Sequence, residues 1–114
     1  MEVNGDAYRV AYDDATDTVL FEGALRLRGA KEYAPIGELL EEVARAAPEV
    51  VTLDLRELRF LNSAGTDLLF RFTLKMRNQV TSQVVIRGAV DIPWQGRTLP
   101  NFERLMPELK LSME

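Results

Sequence analysis

Hydrophobic and polar residues alternate with a period of two near the amino end of this chain. The alternation covers Ala7–Tyr12 and Thr18–Leu27, and the cluster Asp13–Asp17 between these runs is rich in turn-forming residues. A period of two is typical of a strand with one buried face, so the pattern predicts an antiparallel hairpin. The core-facing positions of its second arm are Val19, Phe21, Gly23, Leu25 and Leu27.

The period then changes to that of a helix. One apolar stripe at helical spacing consists of Ile36, Leu39, Leu40, Val43, Ala44 and Ala47. Pro35 leaves the start open between Lys31 and Ala34, because proline fits best in the first helical turn. Pro48 ends this helix.

The rest of the chain alternates short apolar runs with further helical patterns. The predicted elements are strands at Val50–Leu55, Ser82–Arg87 and Glu108–Met113, a helix from Ser63 to about Gln79, and a helix over Pro93–Met106 that Pro100 splits. The order β-β-α-β-α-β-α-β predicts one α/β domain over residues 1–114, with a mixed sheet and right-handed crossovers.

Composition excludes several classes of function. The 114 residues include no cysteine and no histidine, which removes thiol chemistry and the commonest general base and metal ligand. With 14 basic and 18 acidic residues the net charge is −4, which disfavours nucleic acid as a partner. No apolar run approaches the length of a membrane span, so we expect a cytoplasmic protein without direct membrane insertion, metal or cofactor.

The tetrapeptide Asn62-Ser63-Ala64-Gly65 opens the second long helix, after a buried strand and a short loop. Free backbone N–H groups converge at a helix start, and together with the helix dipole they favour negative charge there. Ser63 is therefore a candidate site for an anionic modification. Serine and asparagine are also good helix caps, so a purely structural role for Ser63 stays open at this point.

The segment VVTLDLRELRFLNSAGTDLL, from Val50, resembles the signature of STAS domains, the anti-sigma-factor-antagonist fold. That signature has an apolar strand ending in Asp-Leu, an aromatic spacer residue and then Asp-Ser-(Ser/Ala)-Gly before an apolar helix. The resemblance extends from about Tyr8 to Met113 and implies a STAS-like sheet, here without the C-terminal helix of larger STAS domains. Two positions depart from the signature: Asn62 replaces the usual acidic residue, and Thr66 replaces the usual Leu or Ile.

The resemblance implies a non-enzymatic regulator that switches partners when Ser63, or alternatively Thr66, is phosphorylated. A serine kinase of the histidine-kinase-like ATPase fold would add the phosphate, and a PP2C-type phosphatase would remove it. The alternative is a constitutive, non-phosphorylated subunit of a larger assembly such as a transporter complex, which Asn62 favours slightly. Hydrolase chemistry at Ser63 lacks a base, because the chain has no histidine and Lys75 projects elsewhere on the helix.

The second long helix carries two apolar stripes where a core alone needs one. Gly65, Leu68, Leu69, Phe72 and Met76 form the predicted core face, whereas Phe70 and Leu74 lie on the side of Ser63. The second stripe either packs on a neighbouring helix or belongs to a partner surface. The predicted partner-binding residues are Asn62, Ser63, Ala64, Gly65, Thr66, Asp67, Phe70 and Leu74.

Five residues near or beyond this helix start have separate predicted roles. Gly65 allows another backbone to approach the helix start closely, or marks a loosely specified start. Asp67 is placed in the first turn, where a carboxylate complements the dipole. Asp54, at the predicted strand end, either supports the Ser63 loop through backbone N–H groups, which we favour, or faces an incoming partner. Trp94 and Gln95 indicate core packing more than a cofactor site.

Overall fold

Six strands and four helices make up the computed structural model, which describes residues 1–79 and 81–114. In chain order the elements are β1 (Glu2–Asn4), β2 (Tyr8–Asp13), β3 (Thr18–Leu25), α1 (Gly29–Ala46), β4 (Val50–Leu61), α2 (Ser63–Gln79), β5 (Gln83–Gly88), α3 (Pro93–Thr98), α4 (Pro100–Leu105) and β6 (Lys110–Met113). The predicted order is confirmed, with one short strand added at the amino end.

The strands form a single mixed sheet in the order β1-β2-β3-β4-β5-β6. The first three strands are antiparallel, and β3 to β6 are parallel. Each helical connection moves one strand in the same direction, so right-handed crossovers put the helices on one sheet face. There α2 packs between α1 and α4. The core beneath them includes Phe21, Ile36, Leu53 and Ile86, all fully buried.

The opposite sheet face carries ion pairs instead of helices. Arg9 lies between two acidic side chains, at 2.9 Å from Glu2 and 2.8 Å from Glu22. A second group joins Arg56 to Asp54 at 2.9 Å and Arg87 to Glu114 at 2.7 Å. These charges keep the face polar, as is usual for a sheet with one face toward water.

The main correction concerns β4, which runs to Leu61 instead of ending at Leu55. Residues 56–61, predicted as a loop, are strand and pair with β3 through two register shifts. The shifts fall between Leu20 and Glu22 and between Gly23 and Ala24 on β3. Bulges of this kind break the alternation of side chains and hide a continuous strand from pattern reading.

Smaller boundary differences have local causes. The strand β3 ends at Leu25, two residues before the predicted end at Leu27. Helix α1 begins at Gly29, earlier than either predicted start, and accommodates Pro35 inside the helix at the cost of one backbone hydrogen bond. The predicted break at Pro100 is confirmed, since Pro100 opens α4.

Candidate functional site

The start of α2 is held by Asn62, which stands directly before the first helical residue. Its side-chain oxygen accepts the backbone N–H of Gly65 at 3.0 Å, in the usual geometry of a helix cap. Its amide nitrogen donates to the carbonyl oxygen of Leu27 at 2.8 Å, and its backbone N–H bonds to Leu25 at 3.1 Å. Asn62 therefore ties the start of α2 to the end of β3 and the segment that follows it.

Tyr33 on α1 completes this arrangement. Its phenol donates to the side-chain oxygen of Asn62 at 2.6 Å, and the ring is buried. Burial raises the pKa of the Tyr33 phenol further above neutral pH, where a phenol is already a donor. The bond links the second turn of α1 to the start of α2 through one asparagine oxygen.

Gly65 is required by this packing. A Cβ at this position would lie 2.7 Å from the phenol oxygen of Tyr33 and closer still to the side chain of Leu61. The close approach predicted at Gly65 is present, but the nearest atoms belong to side chains and not to another backbone. Any larger residue has to displace Tyr33 from Asn62.

Ser63 is the first residue of α2, and its side chain is exposed. Within the described residues its hydroxyl makes no protein hydrogen bond, because Asn62 already serves as the cap. The hydroxyl of Thr66 is half-buried and donates to the backbone oxygen of Asn62 at 3.1 Å. Of the two candidate hydroxyls, Ser63 is thus the accessible one.

Ala64 and Asp67, two further predicted site residues, take no part in the hydrogen bonds of Asn62. Ala64 is half-buried against the core. Asp67 is exposed but lies in the second turn of α2, so its predicted place in the first turn is wrong.

Asp54 does not support the Ser63 segment, and that prediction is wrong. The carboxylate accepts the backbone N–H of Arg56 at 3.1 Å and both sides of its guanidinium at 3.0 and 2.9 Å. Burial alone would raise the pKa of Asp54, but these bonds outweigh it and hold the pKa below its ordinary value. Because β4 continues seven residues further, to Leu61, Asp54 lies within the strand on the ion-paired face.

Phe70 packs on a neighbouring helix, and both Phe70 and Leu74 are also partly exposed. Phe70 packs on buried Phe102 of α4, with ring centroids 4.4 Å apart. Both Phe70 and Leu74 stay half-exposed and line an open groove between α2 and α4. Asn101, Arg104 and Leu105 form its other wall. Phe70 is therefore part of the helix packing as well as of the surface.

Gln95 has a structural role that accounts for its burial. Its amide nitrogen donates to the carbonyl oxygens of Leu55 and Leu58 at 2.7 and 3.1 Å, and its oxygen accepts the N–H of Ala89 at 2.8 Å. Trp94 adds an indole N–H bond to Leu58 at 3.1 Å. Together these side chains satisfy backbone groups of β4 where it extends beyond β5, which agrees with a packing role.

The site offers little for catalysis. Lys75 pairs with Glu41 of α1, so it is not a base for Ser63. Among residues 1–79 and 81–114 no cluster of three or more acidic side chains is arranged to hold a metal ion. Over the same residues, no helix combines the length and the apolar character needed to cross a membrane. An exposed hydroxyl on a rigid helix start is suited to modification and contact.

Tyr33 and Leu27 are the site residues that pattern reading missed. Tyr33 stands three residues before Ile36 and extends the apolar stripe of α1 by one turn, so its burial could have been predicted. The bond to Asn62 spans 29 positions, and that to Leu27 spans 35. No local pattern reveals such long-range bonds.

Comparison with known proteins shows the fold. No family model matches the sequence, and no curated protein matches it. A chain in the crystal structure of the diguanylate cyclase SiaD in complex with its activator SiaC, from Pseudomonas aeruginosa, superposes with a TM-score of 0.72 at 9% identity, covering 100% of this chain and 99% of that one. An anti-sigma factor antagonist from Mycobacterium paratuberculosis superposes with a TM-score of 0.60 at 17% identity, covering 96% and 82%. The chain has the STAS-like fold of anti-sigma factor antagonists.

Proposed function

We propose that this protein is a regulatory protein-interaction module that exchanges partners according to the phosphorylation of Ser63. The observation that carries the proposal is the exposed, unbonded hydroxyl of Ser63 on the first residue of α2, beside a cap that Asn62 supplies. The STAS-like fold supports the regulatory part of the proposal, since one similar structure is an anti-sigma factor antagonist.

The start of α2 is a favourable position for a phosphate on Ser63. Phosphoserine adds about −1.5 to −2 charges at neutral pH. At the first residue of a helix this charge is favoured by the dipole and by free N–H groups. The cap does not depend on the serine, because Asn62 provides it. The modification therefore leaves the fold intact and changes the charge of the surface that a partner meets.

The partner surface extends from Ser63 along one side of α2. It comprises the predicted contact residues Asn62, Ser63, Ala64, Gly65, Thr66, Asp67, Phe70 and Leu74. The groove beside Phe70 and Leu74 provides apolar area for a partner to bury, while Asn62, Gly65 and Thr66 hold the helix start in shape.

Two enzymes are required for the cycle. A serine kinase of the histidine-kinase-like ATPase fold phosphorylates Ser63, and a PP2C-type phosphatase restores the hydroxyl. The downstream partner is either an anti-sigma factor or an enzyme that the unmodified protein activates. The second option follows the complex in which SiaC is the activator of a diguanylate cyclase.

The test is to isolate the protein with its binders from its own cells and map phosphate by mass spectrometry. We expect phosphate on Ser63 and its loss in Ser63→Ala, whereas the matched control Thr66→Ala keeps it. Normal phosphate levels in Ser63→Ala would refute the assignment. An unmodified Ser63 in cells that contain the active kinase would instead indicate a constitutive subunit.

Binding measurements separate the states of the switch. Because Asn62 is the cap, Ser63→Ala and Ser63→Asp should each change stability by no more than about 0.5 kcal/mol, as exposed substitutions usually do. We expect the partner of the unmodified protein to bind Ser63→Ala normally and Ser63→Asp more weakly. Equal affinity for the two variants would argue against a phosphate switch.

A further inference from the structure

The outer edge of β6 is a part of the molecule that neither the Ser63 site nor the helix packing uses. β6 is the last strand in the order of the sheet, so within residues 1–79 and 81–114 no strand pairs with its outer side. On its inner side it runs parallel to β5. A free strand edge exposes unpaired backbone N–H and C=O groups, and these groups are a template for a further strand.

The hydrogen bonds at the end of β6 show which of its residues face outward. The N–H of Glu114 donates to the last residue of β5 at 2.9 Å, and its carbonyl oxygen accepts an N–H just beyond β5 at 2.9 Å, so the backbone of Glu114 faces β5. Successive residues of a strand direct their backbone groups to opposite edges. Ser112 and Lys110 therefore also face β5, whereas the N–H and C=O groups of Leu111 and Met113 point to the outer edge.

The segment from Lys110 to Glu114 is complementary to a second copy of itself. In an antiparallel pair centred on Ser112, Leu111 faces Met113 of the second copy, and the reverse pair lies on the other side of the axis. Both outward residues then exchange their N–H and C=O groups, which gives four backbone hydrogen bonds across the two-fold axis. A register centred on Leu111 or on Met113 sets the other residue opposite a residue outside β6. The outward groups therefore select the register about Ser112.

Side chains on both faces of the sheet fit the same register. On the side away from the helices Lys110 faces Glu114 of the second copy, and opposite charges at facing positions stabilise an antiparallel pair. On the helix side Leu111 and Met113, both half-exposed, meet across the axis and bury further apolar area. Arg87 already bonds to Glu114 at 2.7 Å and weakens its attraction for Lys110, so the backbone register is the stronger argument.

The opposite edge of the sheet lacks this complementarity. β1 has three residues, and Glu2 is its only charged side chain. That carboxylate is already paired with Arg9 at 2.9 Å. An antiparallel pair of two β1 edges therefore gains no contact between opposite charges. Of the two edges, β6 is the one whose sequence favours pairing with itself.

We propose that this protein forms a symmetric dimer in which two copies of β6 pair antiparallel about Ser112. The two-fold axis is perpendicular to the sheet, so the two six-stranded sheets become one continuous sheet with all helices on the same face. This inference is independent of the phosphorylation of Ser63. It adds to the proposed function, because a dimer carries two Ser63 surfaces and a partner with two binding sites gains affinity from both.

The first test uses single-cysteine variants, since the chain has no cysteine of its own. Facing residues of a non-hydrogen-bonded antiparallel pair have Cα atoms about 4.5 Å apart, within the range that a disulfide spans. Ser112→Cys should therefore form a disulfide-linked dimer when it is oxidised mildly with diamide. Lys110→Cys is the matched control, because it is more exposed on the same strand but more than about 10 Å from its copy in this register. We expect Ser112→Cys to cross-link at least about tenfold faster.

Sedimentation equilibrium of the wild-type chain tests the dimer without any added thiol. An interface made by one strand edge is small, so we expect a dissociation constant of roughly 10–500 µM. Lys110→Glu places like charges opposite each other twice and should weaken the dimer about tenfold. The control Lys31→Glu, an exposed lysine in the first turn of α1, should stay within about twofold of wild type.

Three results overturn the inference. The first is a wild-type chain that stays monomeric at about 1 mM, well above the expected dissociation constant. The second is a dimer in which Lys110→Cys cross-links as fast as Ser112→Cys, because the two copies then meet through another surface. The third is an unchanged dissociation constant in Lys110→Glu. None of these results bears on the phosphate switch, which the mapping of phosphate on Ser63 tests separately.

Discussion

Asn62 is the residue on which the geometry of the site depends most. Its amide nitrogen donates to Leu27 at 2.8 Å, and its oxygen accepts from Gly65 and Tyr33. An ionised carboxylate can accept but cannot donate. The usual acidic residue of STAS signatures would therefore face the carbonyl oxygen of Leu27 without a hydrogen between them.

We predict that Asn62→Asp lowers stability at neutral pH, although its charge suits a helix start. The lost bond to Leu27 should cost about 1–2 kcal/mol, offset in part by the dipole. Asn62→Ala should cost more, roughly 2–3 kcal/mol, because the cap and the acceptor of Tyr33 are lost too. Urea unfolding measures both, and an Asn62→Asp protein more stable than wild type would contradict the geometry.

Gly65 permits a second test at the residue scale. Gly65→Ala gains helix propensity worth about 1 kcal/mol, but overpacking against Tyr33 and Leu61 should cost about 1–3 kcal/mol. The net result should be a loss of stability. Gly96→Ala is the matched control, because a Cβ at Gly96 meets nothing within 4 Å. Thermal melting should show Gly96→Ala neutral or stabilised, and equal behaviour of the two variants would refute close packing at Gly65.

The sequence predicts the start of α2 but does not show which of its residues caps the helix. Asn62 and Ser63 are both good caps by residue type, so local rules leave the choice open. Tyr33 decides it, since its phenol and the N–H of Gly65 converge on the oxygen of Asn62. This contact depends on how α1 packs against α2, which becomes known only with the whole fold.

At the scale of elements, β4 shows where periodicity reaches its limit. The order of elements follows from apolar runs and turn residues, and the structure confirms it. The last six residues of β4 were missed, because two register shifts interrupt the alternation that identifies a strand. The strand persists there because β3 pairs with one edge while Gln95 and Trp94 bond to carbonyl oxygens on the other.

We predict that Gln95→Leu strongly destabilises the protein, because Gln95 is a fully buried polar residue. Leucine has similar size but leaves the carbonyl of Leu55 and the N–H of Ala89 buried without partners. Each unsatisfied group costs about 1–3 kcal/mol, so the loss should be roughly 2–4 kcal/mol. The control Gln83→Leu, at an exposed position on β5, should stay within about 0.5 kcal/mol. Urea unfolding of both variants decides, and equal midpoints would exclude this role.

The contact between α2 and α4 predicts different results for Phe70 and Leu74. Phe70→Ala should lose roughly 1–3 kcal/mol of stability, less than the ~3–5 kcal/mol of a fully buried phenylalanine, because Phe70 packs on Phe102 but stays partly exposed. Leu74→Ala should cost about 1 kcal/mol or less and is the cleaner probe of partner binding. A melting curve and a titration with the partner distinguish the roles. A Leu74→Ala protein with unchanged affinity would remove the groove from the proposed interface.

At the scale of the whole molecule, the titratable side chains determine how stability depends on pH. With no histidine and no cysteine, no side chain has an ordinary pKa between about 5 and 9. The perturbed groups lie outside that window. The hydrogen bond from Arg87 outweighs partial desolvation and lowers the pKa of Glu114, and the bonds from Arg56 do the same for Asp54. Burial, followed by the bond to Asp17, raises the pKa of Tyr12 to about 12.

These shifts predict a flat stability plateau around neutral pH with a decline on each side. A carboxylate whose pKa is lowered by folding contributes stability above its unfolded value near about 4, and this contribution is lost as the pH falls further. A tyrosine whose pKa is raised by folding contributes fully below about 10, and this contribution is lost as the pH rises toward its folded value. Urea midpoints measured from pH 2 to pH 11 should therefore be level around neutral pH.

Two variants test the two sides of this plateau. Asp54→Asn should reduce the loss of stability at acid pH and leave the alkaline side unchanged. Tyr12→Phe should reduce the loss at alkaline pH and leave the acid side unchanged. A midpoint that changed steeply between pH 6 and pH 8 would contradict this arrangement of charges, because no side chain is available there to cause it.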